Sequence, residues 1–135
     1  DKTFTPNFTD IDDDGWLDIV IASDFGDSQV FLNDGDGTFT NVTDPAVITD
    51  QNGMGAAVCD YDFDGDLDWY VTSIYNVATG GTGNRLYRNK NGVGNLFEDV
   101  TTASGTREGY WGWGASCQDF DNDGDADIFH VNGFD

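Results

Sequence analysis

A nine-residue pattern of alternating aspartates constrains this chain more than any other feature. In Asp60–Asp68 it reads DYDFDGDLD, with carboxylates at positions one, three, five and nine and glycine at position six. Oxygens on alternate residues of a tight turn converge on one point, and Ca²⁺ takes six to eight oxygen ligands at about 2.3–2.6 Å. Glycine supplies the backbone freedom that the reversal needs. The pattern therefore predicts a calcium loop, with the main-chain carbonyl of position seven as a further ligand.

The pattern occurs three times, which separates a metal site from an ordinary acidic turn. One copy alone has the plain interpretation of a solvated turn, since Asp and Gly are common turn residues. Three copies in register favour metal binding at three Ca²⁺ sites. An EF-hand loop has twelve residues, ends in a bidentate Glu and lies between helices. Here position nine is Asp and the flanks resemble strands, so the pattern is not an EF-hand. The predicted ligands are Asp10, Asp12, Asp14, Trp16 and Asp18 in the first loop, Asp60, Asp62, Asp64, Asp66 and Asp68 in the second, and Asp119, Asp121, Asp123, Asp125 and Asp127 in the third.

Composition supports this interpretation and excludes some classes of partner. The 135 residues carry a formal charge of −21, and 15 of the 26 acidic residues lie inside the three loops. Five basic residues without a cluster argue against binding to nucleic acid or to an anionic membrane surface. The sequence contains no apolar run of 18 residues, so it predicts no transmembrane helix. The sequence begins with Asp1 and shows no signal peptide, so we expect a processed or excised piece of a protein.

The segments around the loops form a repeat of about 50 residues. Asp10 and Asp60 are 50 residues apart, and Asp60 and Asp119 are 59 apart. Each loop is preceded and followed by a β-rich run, and a hairpin comes next, marked in the first repeat by the Asp-Gly turn of Asp34–Gly37. Four strands per repeat of this length are typical of β-propeller blades. We therefore predict an all-β partial propeller spanning residues 1–135, with repeats at 3–43 and 53–101 and a half repeat at 112–133, or about two and a half blades of four antiparallel strands.

The order of these elements resembles a known repeat family. A Gly-rich strand, a D-x-D-x-D-G-x-x-D loop, an aromatic and aliphatic strand and a hairpin containing LYRN are similar to the FG-GAP/VCBS repeats of integrin-α-type propellers. Segments such as GMGAAVCDYDFDGDLDWYVTS are closest to the secreted bacterial and cartilage-acidic-protein branch. The resemblance implies metal loops between the first and second strands of each blade, in an extracellular or cell-surface protein that acts in adhesion or sugar binding. Family rings usually have about seven blades, more than this chain holds.

Two classes of function follow. The first is a non-enzymatic extracellular module that serves adhesion, carbohydrate or protein binding, or assembly. The second is part of a polysaccharide lyase or hydrolase built on a propeller. The first is favoured because every acidic cluster belongs to a metal loop, and no further carboxylate pair, His, Lys or Arg is grouped for attack on a glycosidic bond. His130, alone on an apolar strand, is not predicted to be catalytic.

The two cysteines leave two alternatives open. Cys59 and Cys117 both lie just before a calcium loop, and an even number of cysteines in a secreted protein suggests a bridge. Counted back from the loops, however, they occupy different positions and leave opposite faces of equivalent strands. Facing strands of neighbouring blades would bring those faces together. A disulfide and two buried thiols are therefore both retained.

Surface features suggest modification and binding. Asn7 and Asn41 both begin N-glycosylation triplets, and Asn41, on the outer strand of a hairpin, is the better acceptor. Tyr110, Trp111 and Trp113 stand among glycines, where packing between blades is favoured over an aromatic platform for a sugar. The longest insertion, at residues 75–84, is the best place for variable function.

The outer blade faces raise a question of assembly. The first inner strand has no preceding blade to cover it, and the last predicted strand has no third strand to pair with it. Apolar faces and open strand edges promote aggregation unless they are covered. We therefore expect the remaining blades to come from a longer propeller chain or from identical copies that form a ring or a filament. Glycans and extracellular proteins are the other expected partners.

Overall fold

The first repeat folds into a four-stranded antiparallel meander. A computed structural model describes residues 2–91 and 96–134. In the first sheet the strands pair in chain order, and the turn at Asp34–Gly37 joins the last two strands as predicted. The strands are β1 (Thr3–Thr9), β2 (Asp18–Ser23), β3 (Gln29–Asn33) and β4 (Phe39–Asn41).

The second repeat forms a second sheet with the same antiparallel order. The insertion at residues 75–84 contains a hairpin of its own, and residues 92–95 lie outside the described part of the chain. The main strands are β5 (Ala56–Cys59), β6 (Asp68–Val71), β9 (Arg85–Asn89) and β10 (Phe97–Asp99), and the inserted hairpin is β7 (Tyr75–Asn76) with β8 (Gly81–Thr82).

A short helix follows the last strand of the second repeat. Strand β10 stops at Asp99, and the one-turn helix α1 (Thr101–Ser104) comes next. The Asp99 Oδ1 atom accepts the amide of Thr101 at 3.0 Å, which turns the chain, and Gly105 ends the helix with φ at 72°. Within the described residues, no helix is long and apolar enough to cross a membrane.

The third repeat contributes a two-stranded sheet of β11 (Trp111–Gln118) and β12 (Asp127–Phe134). The two strands pair antiparallel around the third Asp-rich loop, from Gln118 with Asp127 to Trp111 with Phe134. With three antiparallel sheets, one inserted hairpin and a single helical turn among the described residues, the fold class is all-β, as predicted.

The main core lies between the first and second sheets. Val20 and Ala22 on β2 are fully buried, and they belong to the same apolar cluster as Trp69 of β6. Trp69 contacts Tyr87 and Phe97, with ring centroids 5.5 and 6.2 Å apart. The alternate residues of β2, Ile19 and Ile21, are half-buried.

Backbone contacts and a disulfide join the second and third sheets. A side chain at Gly55 would collide with the carbonyl oxygen of Trp113, which also accepts the Thr72 hydroxyl at 3.1 Å. Cys59 on β5 and Cys117 on β11 form a disulfide, so the alternative of two free thiols does not apply. The strands β5 and β11 lie side by side, which brings the two cysteines together.

The predicted aromatic packing is confirmed in part. Trp113 packs edge to face on Phe4, with ring centroids 6.2 Å apart, and the neighbouring glycines allow close backbone approach. Trp111 and Trp113 nevertheless remain more than 40% exposed, and Tyr110 is 74% exposed. An aromatic surface for a sugar ring therefore stays a prediction. So does glycosylation of Asn41, which is exposed on β4, and of Asn7, which is half-buried on β1.

A buried carboxyl group joins the first two sheets away from the loops. Asp50 is 1% exposed; its Oδ2 accepts the Ser28 hydroxyl at 2.6 Å and its Oδ1 accepts the Tyr87 hydroxyl at 2.9 Å. The Tyr87 oxygen in turn accepts the amides of Thr49 and Asp50, both at 3.1 Å. Burial raises the pKa of Asp50, against the opposing effect of these two hydroxyl donors.

This buried carboxyl predicts a pH effect on stability. Because its folded pKa is raised, the folded protein binds a proton that the unfolded chain has released, and stability falls as pH rises from about 4 through the folded pKa. Replacing Asp50 with asparagine should remove this component and flatten the profile relative to wild type. Denaturant unfolding from pH 4 to 7 at fixed calcium concentration measures it, with the exposed Asp27→Asn as control. Parallel profiles for wild type and Asp50→Asn would contradict the prediction.

Candidate metal centres

The three Asp-rich loops share one backbone conformation. Each places its fourth and sixth residues in the left-handed region, where only glycine is free of steric cost. Glycine at position six therefore follows from the backbone itself, whereas position four tolerates Asp, Phe or Asn. The φ angles are 60°, 61° and 62° at Asp13, Phe63 and Asn122, and 91°, 97° and 97° at Gly15, Gly65 and Gly124.

The carboxylate at position one holds the turn together. Asp10 accepts the amide of Asp14 on Oδ1 at 3.0 Å and the amide of Gly15 on Oδ2 at 2.9 Å. The equivalent bonds at Asp60 and Asp119 measure 3.0 to 3.2 Å. These bonds occupy part of each carboxylate and fix its orientation within the loop.

The carboxylate at position nine is the buried one. Asp18 and Asp68 are 0% and 1% exposed. Their Oδ2 atoms accept the amide of the second loop residue, Ile11 at 2.8 Å and Tyr61 at 3.0 Å. In the third loop Asp127 is half-buried and accepts the equivalent amide at 3.0 Å. Position nine therefore closes each loop onto the strand that begins there.

Three carboxylates converge in each loop, from positions one, three and nine. One oxygen from each residue lies within 4.8 Å of the other two. The position-five carboxylate is not among the three that converge. Its Oδ1 atom accepts the amide of position seven instead, as in Asp14 with Trp16 at 2.8 Å. We call the groups site one (Asp10, Asp12, Asp18), site two (Asp60, Asp62, Asp68) and site three (Asp119, Asp121, Asp127).

Site one contains an oxygen that suits a cation. The Asp12 Oδ1 atom is buried and has no hydrogen-bond partner within the described residues. Burial raises the pKa of Asp12, and the charges of Asp18 and Asp14 raise it further. A buried carboxylate oxygen without a donor is costly unless something positive contacts it. The donor set, all carboxylate oxygen, is the set that Ca²⁺ prefers.

In site two, the pKa of the buried carboxyl group is also raised. Burial raises the pKa of Asp68 to about 6, and the charges of Asp62 and Asp64 contribute in the same direction. Hydrogen bonds from the amides of Asn89 and Tyr61 act against this shift. The charged form of this carboxyl group is therefore only partly compensated by protein donors, which again fits a cation.

Two supporting asparagines were not predicted from the sequence. The backbone amides of Asn33 and Asn89 donate to the Oδ1 atoms of Asp18 and Asp68, each at 2.8 Å. Their side-chain Nδ2 atoms donate to the carbonyls of Leu17 and Leu67 in their own loops. The available signal was an Asn at the end of the third strand in both complete repeats, in FLN and YRN.

The three sites are not equivalent. The Arg88 Nη1 atom lies 3.8 Å from Asp62 Oδ2 in site two, while Arg88 Nη2 contacts Glu98 Oε2 at 2.7 Å. The matching position in the first repeat is Leu32, which carries no charge. Site three is the most exposed: Asp119 and Asp121 lie at the surface, and Phe120 between them is 50% exposed.

Comparison with known proteins identifies the same repeats as the Asp-rich loops do. A family model described as FG-GAP-like repeat matches residues 10–71 and 74–130, which together cover most of the chain. The first match contains the loops of sites one and two, and the second contains the loop of site three. No curated protein matches the chain. The match to the family model confirms the resemblance noted from the sequence, and the chain belongs to the FG-GAP-like repeat family.

Proposed function

We propose that this chain is an extracellular calcium-binding β-propeller repeat module in which each Asp-rich loop holds one Ca²⁺. The observation that carries the proposal is the convergence of three carboxylates at the same loop positions in all three repeats. The buried Asp12 oxygen without a donor supports it independently. An ordinary acidic turn would spread its charges rather than bring them within 4.8 Å of one another.

Calcium has a structural role in this proposal. The carboxylates of positions one, three, five and nine and the carbonyl of position seven would hold the ion, which supplies positive charge to a group of like charges. The chain's own contribution is orientation. Position one is fixed by two loop amides, and position nine by the amides of position two and, in sites one and two, of a strand asparagine.

Calorimetric titration tests the proposal directly. Three Ca²⁺ ions per chain are expected, and Asp12→Asn, Asp62→Asn and Asp121→Asn should each remove one ligand from its own site and weaken binding there. In sites one and two these position-three residues are suitable because the described bonds to loop amides use positions one, five and nine. In site three, Asp121 also accepts the amide of Asp123 at 3.2 Å. Absence of calcium uptake by the folded protein would refute the proposal.

The arginine beside site two predicts a difference in affinity. Arg88 neutralises part of the charge of Asp62, so Arg88→Leu, which copies Leu32 of the first repeat, should tighten calcium binding at site two. The gain should be about two- to fivefold, the range of a partly screened ion pair. The titration above measures it, with Arg107→Leu as a control that removes the same charge next to Thr102 instead. Equal shifts in both variants would show a general charge effect and contradict the prediction.

Location and catalysis form a second part of the proposal. The disulfide between Cys59 and Cys117 favours an oxidising, extracellular compartment. We propose a non-enzymatic role in adhesion, in carbohydrate or protein binding, or in assembly. The alternative is a role in a polysaccharide lyase or hydrolase. Incubation with acidic and neutral polysaccharides separates the two, because turnover abolished by a substitution outside the loops would support the enzyme.

The outer faces of the first and third sheets support a proposal about assembly. Val20 and Ala22 are fully buried by the second sheet, whereas the matching residues of the third repeat, Phe129 and Val131, are 56% and 48% exposed. At the other end, Phe8 on β1 is 63% exposed. We propose that sheets of the same repeat type cover both faces, supplied by a longer propeller chain or by identical copies. Light scattering of residues 1–135 in calcium tests this, and a monodisperse, well-folded monomer would contradict it.

A further inference from the structure

One side chain connects the first two metal centres. The Asn89 Nδ2 atom donates to the Ile11 carbonyl at 2.6 Å, across the boundary between the second and first sheets. The Asn89 backbone amide donates to Asp68 Oδ1 of site two at 2.8 Å. The Ile11 amide donates to Asp18 Oδ2 of site one at 2.8 Å. A continuous path of three hydrogen bonds therefore runs from a site-one carboxylate to a site-two carboxylate.

Burial makes this path stiff. Asp18, Ile11, Asn89 and Asp68 are each no more than 2% exposed, so water does not replace these bonds when one of them lengthens. The Ile11 side chain is also part of the core cluster between the sheets. A shift of Asp68 therefore moves Asn89, and through the Ile11 carbonyl it moves the residue whose amide fixes Asp18.

The first repeat provides an internal comparison. Asn33 makes the same bonds as Asn89 inside its own repeat, to Asp18 Oδ1 through its backbone and to the Leu17 carbonyl through Nδ2. The additional bond of Asn89 to the loop of another repeat has no counterpart at Asn33 within the described residues. The difference between the two asparagines is thus the contact between sites.

We propose that Asn89 is a positioning residue that couples calcium binding at sites one and two, so that occupation of either site raises the affinity of the other. The inference rests on the proposed function. The mechanism is that ordering one position-nine carboxylate pre-orders the other through Asn89 and Ile11, which lowers the entropy cost of the second binding event. Direct charge repulsion between two bound cations has the opposite sign, so positive coupling cannot arise from repulsion, and its loss in Asn89→Ala identifies the path.

The test is calorimetric calcium titration in an Asp121→Asn background, which weakens site three. Sites one and two should bind with positive coupling, by a factor of about 5 or more. Asn89→Ala keeps the backbone amide but loses Nδ2, and it should reduce this factor to about 1. Asn33→Ala, the matched control, should weaken site one but leave the coupling factor unchanged.

A second measurement covers the case in which Asn89→Ala does not fold. In the Asp62→Asn variant, hydrogen exchange of the Ile11 amide should be faster at calcium concentrations that still fill site one. Independent binding in the Asp121→Asn background, or an equal coupling factor with and without the Asn89 side chain, would overturn the proposal while the three-site function stands. Absence of any calcium uptake would overturn both.

Discussion

Replacing Asp68 with alanine should lower the free energy of unfolding by about 2–4 kcal/mol, even in excess chelator. Asp68 is 1% exposed and accepts the amides of Tyr61 and Asn89, at 3.0 and 2.8 Å. Alanine leaves both donors without partners, and each buried donor without a partner costs about 1–3 kcal/mol. Removal of a buried carboxyl group offsets part of that cost. The effect is therefore structural first, and loss of calcium adds to it.

The matched control is Asp62→Ala in the same site. Asp62 is exposed, and its described partner is Arg88 at 3.8 Å, so its loss should change stability little in chelator. In calcium, both variants should lose the stabilisation contributed by site two. Denaturant unfolding with calcium and with chelator gives all four values. Equal stability of Asp68→Ala and wild type in chelator would show that this carboxyl group does not support the fold.

Removing the disulfide should also have a large effect. Cys59 and Cys117 are separated by 58 positions, and loss of the constraint on the unfolded chain costs about 4 kcal/mol for a loop of this length. The bond joins β5 to β11, where close backbone contacts already pack the second sheet on the third. The double variant Cys59→Ser and Cys117→Ser should therefore unfold at a clearly lower denaturant concentration.

Two further measurements show whether the lost stability comes from the missing cross-link. Wild type in reductant should behave like the double serine variant, since both lack the same cross-link. Hydrogen exchange should show the largest loss of protection in β11 and β12, because the third sheet depends on this attachment more than the first. Unchanged stability of the double variant would mean that packing at Gly55 and Thr72 holds the third sheet without the bond.

The loops were the part of the structure most open to prediction from sequence. Glycine at position six and aspartate at positions one and nine have local causes, since they satisfy backbone angles and amides within nine residues. The pairing of β3 with β4 followed from the hairpin turn at Asp34–Gly37 for the same reason. The conformation of the three loops can be predicted from sequence because each copy obeys the same short-range constraints.

The contacts between sheets were not predictable in the same way. Asn89 looks like an ordinary strand end, and only the packing of one sheet on another brings its Nδ2 atom to Ile11. The cysteine positions suggested opposite faces, but the relative placement of β5 and β11 decided that they meet. The helix at Thr101–Ser104 was missed because its start depends on the bond from the Thr101 amide to Asp99. Each of these features depends on distances that spacing along the chain does not determine.

Thermal unfolding with and without calcium tests the central claim most directly. Ligand that binds only the folded state adds about 2.7 kcal/mol per site at a concentration 100 times its Kd, so three sites should raise the melting temperature strongly. Extracellular sites of this kind bind at about 10⁻⁴–10⁻³ M, so a concentration 100 times the Kd is about 10–100 mM, and millimolar calcium should give a smaller rise of about 0.4–1.4 kcal/mol per site. The account predicts a melting temperature that rises with calcium concentration and falls when a chelator is added. Equal melting temperatures in calcium and in excess chelator would contradict it.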